Sequence, residues 1–99
     1  MPEGVVVEFT GPFREITGRR STSVDIGSAI TLGVLISRLS ALYGEEFWRR
    51  IVDDEGTGYR ADSTMIAVNQ RVVNPSGALS QPVKPGDRVV FALSVAGGG

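Results

Sequence analysis

The feature that most restricts the fold is a single amphipathic helix between two pairs of strand-like segments. Apolar side chains recur at helical spacing after Thr31, whose hydroxyl can cap the first turn, and Gly44 is predicted to close the helix in a left-handed conformation. The side chains predicted on its buried face are Leu32, Leu35, Ile36, Leu39 and Leu42. Because one helix can cover one face of a sheet, the pattern predicts a two-layer α+β domain with a mixed sheet of four or five strands.

The segments before the helix predict an antiparallel hairpin. Residues 4–10 form a strand in which Val5, Val7 and Phe9 share one face, and residues 21–26 alternate in the same way. The residues between them, 13–18 in particular, are predicted to be a connection rather than a regular element. The first half of the chain therefore contributes two strands and then the helix.

The segments after the helix predict one further helical turn and a second hairpin. Residues 45–51 continue the helical pattern, with Phe47 or Trp48 and Ile51 facing inward, and the polar residues 53–63 form a loop. A third strand at 65–68 turns at Asn69 and Gln70 into residues 72–73, although a type I′ turn prefers glycine at its second position. The irregular stretch 74–84 is expected to reach the core through Leu79 and Val83.

The last strand is predicted at residues 89–95, after a turn at Pro85 and Gly86, and it leads directly into Gly97, Gly98 and Gly99. We expect a domain at residues 1–96 and a glycine tail at 97–99 that presents a free α-carboxylate as the functional group. The alternative is that three glycines are only a frayed terminus or an artificial extension.

The composition excludes several classes of function. The sequence contains no cysteine and no histidine, which removes disulfides, thiol nucleophiles, imidazole bases and the usual zinc ligands. Its net charge of −1, without blocks of like charge, gives no reason to expect nucleic acid or membrane partners. We expect a non-enzymatic cytoplasmic protein that binds no cofactor or metal of its own.

Four motifs in order resemble the MoaD/ThiS-like family of ubiquitin-related sulfur carriers. This family includes the small subunit of molybdopterin synthase and the small archaeal ubiquitin-like modifiers. The matching segments are Phe9 with residues 13–18, residues 31–35, residues 65–69, and residues 84–89 leading to 95–98. The sequence departs from the family pattern at Gln70, where glycine is usual, at Leu93 and Ser94, where two prolines are common, and at Gly99, which follows the usual final glycine.

The resemblance implies a β-grasp, or ubiquitin-like, fold in which the first and last strands pair in parallel. Val5, Val7 and Phe9 would then lie beside Val89, Phe91 and Leu93. It also implies that Gly97, Gly98 and Gly99 carry the function. An E1-like adenylating enzyme that uses ATP and Mg²⁺ would activate the carboxylate, which then becomes a thiocarboxylate.

The resemblance further implies a large synthase subunit or another sulfur-acceptor enzyme as a second partner, and molybdopterin-type cofactor synthesis is the favoured pathway. For partner contacts we predict Phe91, Leu93 and Val95 on the last strand. The alternative is a protein modifier whose terminal glycine forms an isopeptide bond with lysines of substrate proteins. A third possibility is a β-grasp binding module in which the tail has no function.

Overall fold

The computed structural model describes residues 4–94, which form five principal strands, three helices and several short elements. In chain order these are β1 (Gly4–Phe9), α1 (Pro12–Thr17), β2 (Ser21–Asp25), β3 (Ile30–Thr31), α2 (Leu32–Tyr43), α3 (Glu45–Ile51), β4 (Met65–Val68), β5 (Arg71–Val72), a 3₁₀ helix (Ala78–Ser80), β6 (Pro82–Val83) and β7 (Arg88–Ala92).

The main sheet has five strands in the order β2-β1-β7-β4-β5. Strand β1 pairs in parallel with β7, as predicted, but the register differs from the prediction. Val7 lies opposite Val89 and Phe9 opposite Phe91, whereas Val5 and Leu93 fall outside the pairing. The other neighbours in this sheet are antiparallel, including the β1–β2 hairpin. The predicted mixed sheet is therefore confirmed, and the first and last strands form its centre.

Helix α2 covers one face of the sheet and supplies much of the core. Thr31 caps it as predicted, with its Oγ1 accepting a 3.2 Å hydrogen bond from the backbone N–H of Val34. Leu32, Leu35, Ile36 and Leu39 are fully buried. Leu42 was predicted to join them and is instead 67% exposed. The angular step of about 100° per residue places Tyr43 near the middle of the buried stripe and Leu42 at its border.

Four phenylalanines form the centre of the core where the sheet, α1 and α3 meet. Phe9 and Phe91 stack across the parallel strand pair with ring centroids 6.2 Å apart, and Phe47 contacts Phe91 edge-to-face at 5.3 Å. Phe13 packs edge-on against Phe47 at 6.2 Å. Such arrangements match the opposite partial charges of ring faces and edges.

Residues 13–18 were predicted to be a loop, and this prediction is wrong for most of them because residues 12–17 form α1. Pro12 occupies the first turn of α1, where its missing N–H costs no hydrogen bond, and Gly18 ends it with a left-handed φ of 71°. The helix buries Phe13 completely. The proline and the glycine are start and stop signals that the sequence contained.

Gly44 has a different role from the one predicted. Its φ of 109° and ψ of 160° are outside the left-handed helical region, because the residue joins α2 directly to α3. In α3, Phe47 and Ile51 are buried as expected, and Trp48 is partly buried against the core.

The second hairpin has the predicted type I′ geometry although it lacks glycine. Asn69 and Gln70 both have positive φ, 51° and 71°. Strand β5 begins one residue earlier than predicted. Farther along, Val83 is buried and Leu79 packs against the core, as expected. The pairing of β6 with β3, which the sequence did not indicate, holds this stretch beside α2.

Candidate functional site

The three glycines and Val95 lie outside the described residues, so the candidate site is approached through the strand that leads to them. This strand, β7, ends at Ala92. It was predicted to continue to residue 95.

Hydrogen bonds fix the end of β7 on both sides. On one side, the backbone N–H and the Oγ1 of Thr10 both donate to the carbonyl oxygen of Phe91, at 3.1 and 3.2 Å. On the other side, Ala92 lies opposite Met65, and the N–H of Ser94 donates to the carbonyl of Ser63 at 3.4 Å. The direction in which the chain leaves the sheet is thus set by backbone contacts with two neighbouring segments.

The predicted partner residues of the last strand separate into different environments. Phe91 was predicted to contact a partner, but it is fully buried in the aromatic core, so its side chain offers no surface for such a contact. Leu93 follows Phe91 by two positions, so a continuous strand would place both side chains on the same face. It lies beyond the end of β7, however, and is 47% exposed. Its Cβ lies 3.9 Å from the position that a Cβ on Gly11 would occupy.

The sheet face without helices carries an apolar surface that the sequence analysis missed. We call it the open face and define it by the cross-strand neighbours Val90, Ala67 and Val72, together with Met65 and Ala92. Val72 is 61% exposed and Val90 is partly buried. Apolar residues at alternate positions of both β4 and β7 are a signal that could have located this face.

The open face has a charged border on the β1 side. The guanidinium of Arg88 donates to Glu8 Oε2 at 2.7 Å, and Glu8 is the cross-strand neighbour of Val90. Both side chains are partly exposed. An apolar centre with a charged border is the arrangement typical of protein interaction surfaces.

The described residues contain no cluster of acidic side chains that could hold a metal ion. The segments that contact the end of β7 contribute the backbone N–H and hydroxyl of Thr10 and the backbone carbonyl of Ser63. Burial raises the pKa of Tyr59 above its ordinary value, and a hydrogen bond with the backbone of Ile66 opposes this effect. The hydroxyl of Tyr59 donates to the carbonyl of Val73 at 2.6 Å within the core. Within residues 4–94, the candidate site therefore consists of the end of β7 and the contact surface beside it.

Among residues 4–94, no helix has the length and apolar character needed to cross a membrane.

Comparison with solved structures identifies relatives of the whole fold. CysO from Mycobacterium tuberculosis is 32% identical, with a TM-score of 0.75 over 92% of this chain and 99% of that one. A putative molybdopterin converting factor, subunit 1, from Pyrococcus furiosus is 26% identical, with a TM-score of 0.72 and coverage of 93% and 98%. A chain in the BexX/CysO complex of Amycolatopsis orientalis is 26% identical, with a TM-score of 0.74 and coverage of 94% of this chain and 98% of that one.

A search of curated proteins with the sequence gives no match. The sequence does match the ThiS family over residues 7–98, which includes the second half of β1, every later strand and helix, and Gly97 and Gly98. These similarities confirm the β-grasp fold and the resemblance that the motifs indicated. The chain belongs to the ThiS family of ubiquitin-related sulfur-carrier proteins.

Proposed function

We propose that this protein is a sulfur carrier whose Gly99 carboxylate is adenylated by an E1-like enzyme and then converted to a thiocarboxylate. The observation that carries the proposal is the position of the strand end within a ThiS-family fold. Strand β7 lies at the centre of the sheet, and its end is fixed by the hydrogen bonds from Thr10 to Phe91 and by the pairing of Ala92 with Met65. The body of the protein then serves as a rigid holder for the reactive group.

The chemistry requires an activating partner, because an ionised carboxylate is a poor electrophile at neutral pH. In the first step a carboxylate oxygen attacks the α-phosphorus of ATP, pyrophosphate leaves, and an acyl-adenylate forms. In the second step hydrosulfide attacks the acyl carbon, AMP leaves with the C–O bond electrons, and loss of the thiol proton gives the thiocarboxylate. The partner supplies ATP, Mg²⁺ and the sulfur, since this chain has neither cysteine nor histidine. The carrier itself holds the acyl group and catalyses neither step.

Glycine suits the tail for a steric reason. A carboxylate that enters a narrow channel must be accompanied by backbone that can extend or adopt positive φ, and glycine does both without a Cβ clash. We therefore assign Gly97, Gly98 and Gly99 to the reactive tail. The match to the family ends at Gly98, and we infer that Gly99 is used directly as the reactive residue.

We assign recognition by the activating enzyme to Leu93 and the open face, which lie beside the strand end. The sulfur acceptor that we propose is the large subunit of a molybdopterin-type synthase. The likeness to the Pyrococcus furiosus protein, which is named a putative molybdopterin converting factor, supports this choice. The complex of CysO with BexX in Amycolatopsis orientalis supports a role exercised through a protein partner.

The test is intact-mass analysis after incubation with ATP, Mg²⁺, a sulfur source and the cognate activating enzyme. A sulfur-for-oxygen increment on the full chain is the expected result, and the increment should be absent without ATP and in Gly98→Val. An increment found only on a chain that lacks Gly99 would make Gly98 the reactive residue. Lysine-linked adducts on other proteins, without any thiocarboxylate, would replace the carrier with the protein-modifier function.

The acceptor is tested by offering the thiocarboxylate form to synthases for molybdopterin, thiamin, thiolated tRNA and cysteine in parallel. Sulfur transfer to the molybdopterin synthase alone is expected. Transfer to one of the others instead would reject that pathway and leave the carrier chemistry in place.

A further inference from the structure

A groove of about 810 Å³ opens at the far end of the sheet from the exit of the tail. It lies between β5 and the segment that contains β6. Its apolar lining consists of Ala29, Val68, Val72, Val73 and Pro82. An aliphatic floor of this kind suits small apolar side chains or glycine backbone.

Two cationic side chains also line the groove, Arg71 and Lys84, the single lysine of the sequence. Within residues 4–94 neither of them forms an ion pair. Asp87 is the acidic residue of the lining, and both of its oxygens are engaged, by Asn69 Nδ2 at 2.9 Å and by the N–H of Lys84 at 3.0 Å. The groove therefore keeps a net positive charge available to an anionic ligand.

The groove also contains an unused strand edge. Strand β5 is the last strand of the sheet, and the N–H of Val73 donates to the carbonyl of Ile66 at 2.8 Å. Because hydrogen-bonded and non-bonded pairs alternate along an antiparallel ladder, the N–H and C=O of Val72 point away from β4. An extended peptide could pair with these groups.

We propose that this groove binds residues 95–99 of a second copy of the chain, with the terminal carboxylate between Arg71 and Lys84. The sequence Val-Ala-Gly-Gly-Gly is apolar and slender, and the Gly99 carboxylate of the proposed function supplies the negative charge that the groove can accept. The extended backbone pairs with Val72, and the aliphatic floor receives Val95 and Ala96.

The length of the tail favours a second copy over the tail of the same chain. Strand β7 alone covers roughly 16 Å at about 3.3 Å per residue, and the groove lies beside the start of this strand. Five residues extend at most about 18 Å, so the tail of the same chain would have to reverse at Ser94 and use its full length on the return. A neighbouring molecule can present its tail without this reversal.

A carboxylate held in this groove is withheld from the activating enzyme, so docking of the tail would regulate the carrier. This regulatory role rests on the proposed function. Docking in trans depends on protein concentration. It produces a reserve of inactive carrier when the protein is abundant and releases the tail when the protein is dilute.

The direct test is an NMR titration of the full-length protein with the synthetic peptide Val-Ala-Gly-Gly-Gly, as the free acid and as the C-terminal amide. The free acid is expected to shift the amide signals of residues 69–74, Gln81, Val83 and Lys84 and to bind about threefold to tenfold more tightly than the amide. Equal binding of the two forms, shifts confined to other surfaces, or no shifts would overturn the proposal.

Variants separate the groove from general charge effects. Arg71→Gln and Lys84→Gln should each weaken binding of the free acid and leave the amide unchanged. Arg49→Gln, which removes an exposed guanidinium on α3, is the matched control and should change neither affinity. If Arg49→Gln weakens binding as much as Lys84→Gln does, the attraction is non-specific and the proposed site is wrong.

Neither measurement contains the activating enzyme or ATP. Failure of the peptide to bind therefore rejects the groove and leaves the carrier function intact. Conversely, a chain that never acquires a thiocarboxylate rejects the carrier function, whatever the peptide does.

Discussion

The side-chain Nδ2 of Asn69 donates a 2.9 Å hydrogen bond to Oδ1 of Asp87, and this contact ties the β4–β5 hairpin to the turn before β7. The same amide accepts from the N–H of Arg88 through its Oδ1, also at 2.9 Å. Asp87 in turn accepts from the N–H of Lys84. One side chain therefore aligns the start of the central strand with its antiparallel neighbour.

Replacing Asn69 by alanine is expected to lower the free energy of unfolding by about 2–3 kcal/mol, because two hydrogen bonds are lost and alanine is strained at the φ of 51°. Asn69→Gly loses the same hydrogen bonds without the strain and should cost about 1 kcal/mol less. Urea unfolding of both variants measures the difference. If the two are equally stable, the backbone strain does not contribute.

Replacing Gln70 by glycine is expected to stabilise the protein by about 1 kcal/mol, since φ is 71° at this position and glycine adopts that region freely. The variant creates the Asn-Gly pair that type I′ turns favour. Thermal unfolding by circular dichroism measures the gain, with Gln81→Gly, at a position whose φ is −61°, as the matched control that should destabilise. A destabilised Gln70→Gly would show that the Gln70 side chain makes a contribution larger than the strain.

Gly58 is expected to resist substitution for reasons of space. A Cβ at this position would lie 1.9 Å from the carbonyl oxygen of Pro75, which is backbone and cannot rotate away. Gly58→Ala should therefore cost about 3 kcal/mol or more, as overpacked sites do. Gly27→Ala meets no atom within 4 Å and should cost only the strain of its positive φ, about 1 kcal/mol. Chemical unfolding of the pair tests this order, and equal losses would contradict it.

Stability above neutral pH is expected to depend on Tyr59. Burial raises the pKa of this phenol in the folded protein above the ordinary value of about 10, and a backbone hydrogen bond opposes this effect. As the pH rises through about 10, the unfolded chain releases the proton while the folded protein retains it, so the free energy of unfolding falls. Tyr59→Phe should remove this part of the alkaline decline.

At neutral pH the same variant should lose about 1–2 kcal/mol, because the carbonyl of Val73 is left without the hydroxyl that donates to it. Urea titrations across the alkaline range measure both effects. Tyr43→Phe, at the ring that packs edge-on against Phe9, is the control and should keep the decline. An unchanged decline in Tyr59→Phe would assign it to other groups.

Leu93→Glu is expected to weaken recognition by the activating enzyme without unfolding the protein, because the side chain is 47% exposed beside the exit of the tail. The KM for the carrier should rise about tenfold or more while kcat stays within about twofold. Leu42→Glu changes a leucine that is equally apolar and 67% exposed on the helical layer, and it should leave both constants unchanged. A larger effect at Leu42 would place the contact on the helices.

The sequence predicted the sheet and α2 well because their apolar residues repeat with the period of one element, as Val5, Val7 and Phe9 do. It placed Leu42 in the core, which is wrong. Whether a residue at the border of the apolar stripe is buried depends on how α3 and Tyr43 pack, and the helical spacing alone does not determine that packing. Residues 13–18 were predicted to be a connection because a helix of 6 residues is too short to show a clear apolar repeat. Pro12 and Gly18 nevertheless marked its two ends.

At the candidate site, the alternation of side chains along the last strand could not show which of them are buried. Phe91 and Leu93 have the same parity, yet one is buried and the other exposed, because the strand ends between them. The open face was missed for a related reason. Ala67 and Val72 become neighbours only through the type I′ turn at Asn69 and Gln70, and that pairing depends on tertiary contacts such as the one with Asp87.

The parallel pairing of β1 with β7 also governs how this chain must fold. Contacts at the centre of the sheet, such as that between Thr10 and Phe91, join residues 81 positions apart. The entropy of closing so large a loop has to be overcome before the aromatic core can form. High contact order of this kind slows folding relative to a helical domain of the same length. During synthesis, the β1–β2 hairpin cannot pair with the central strand until β7 has been made.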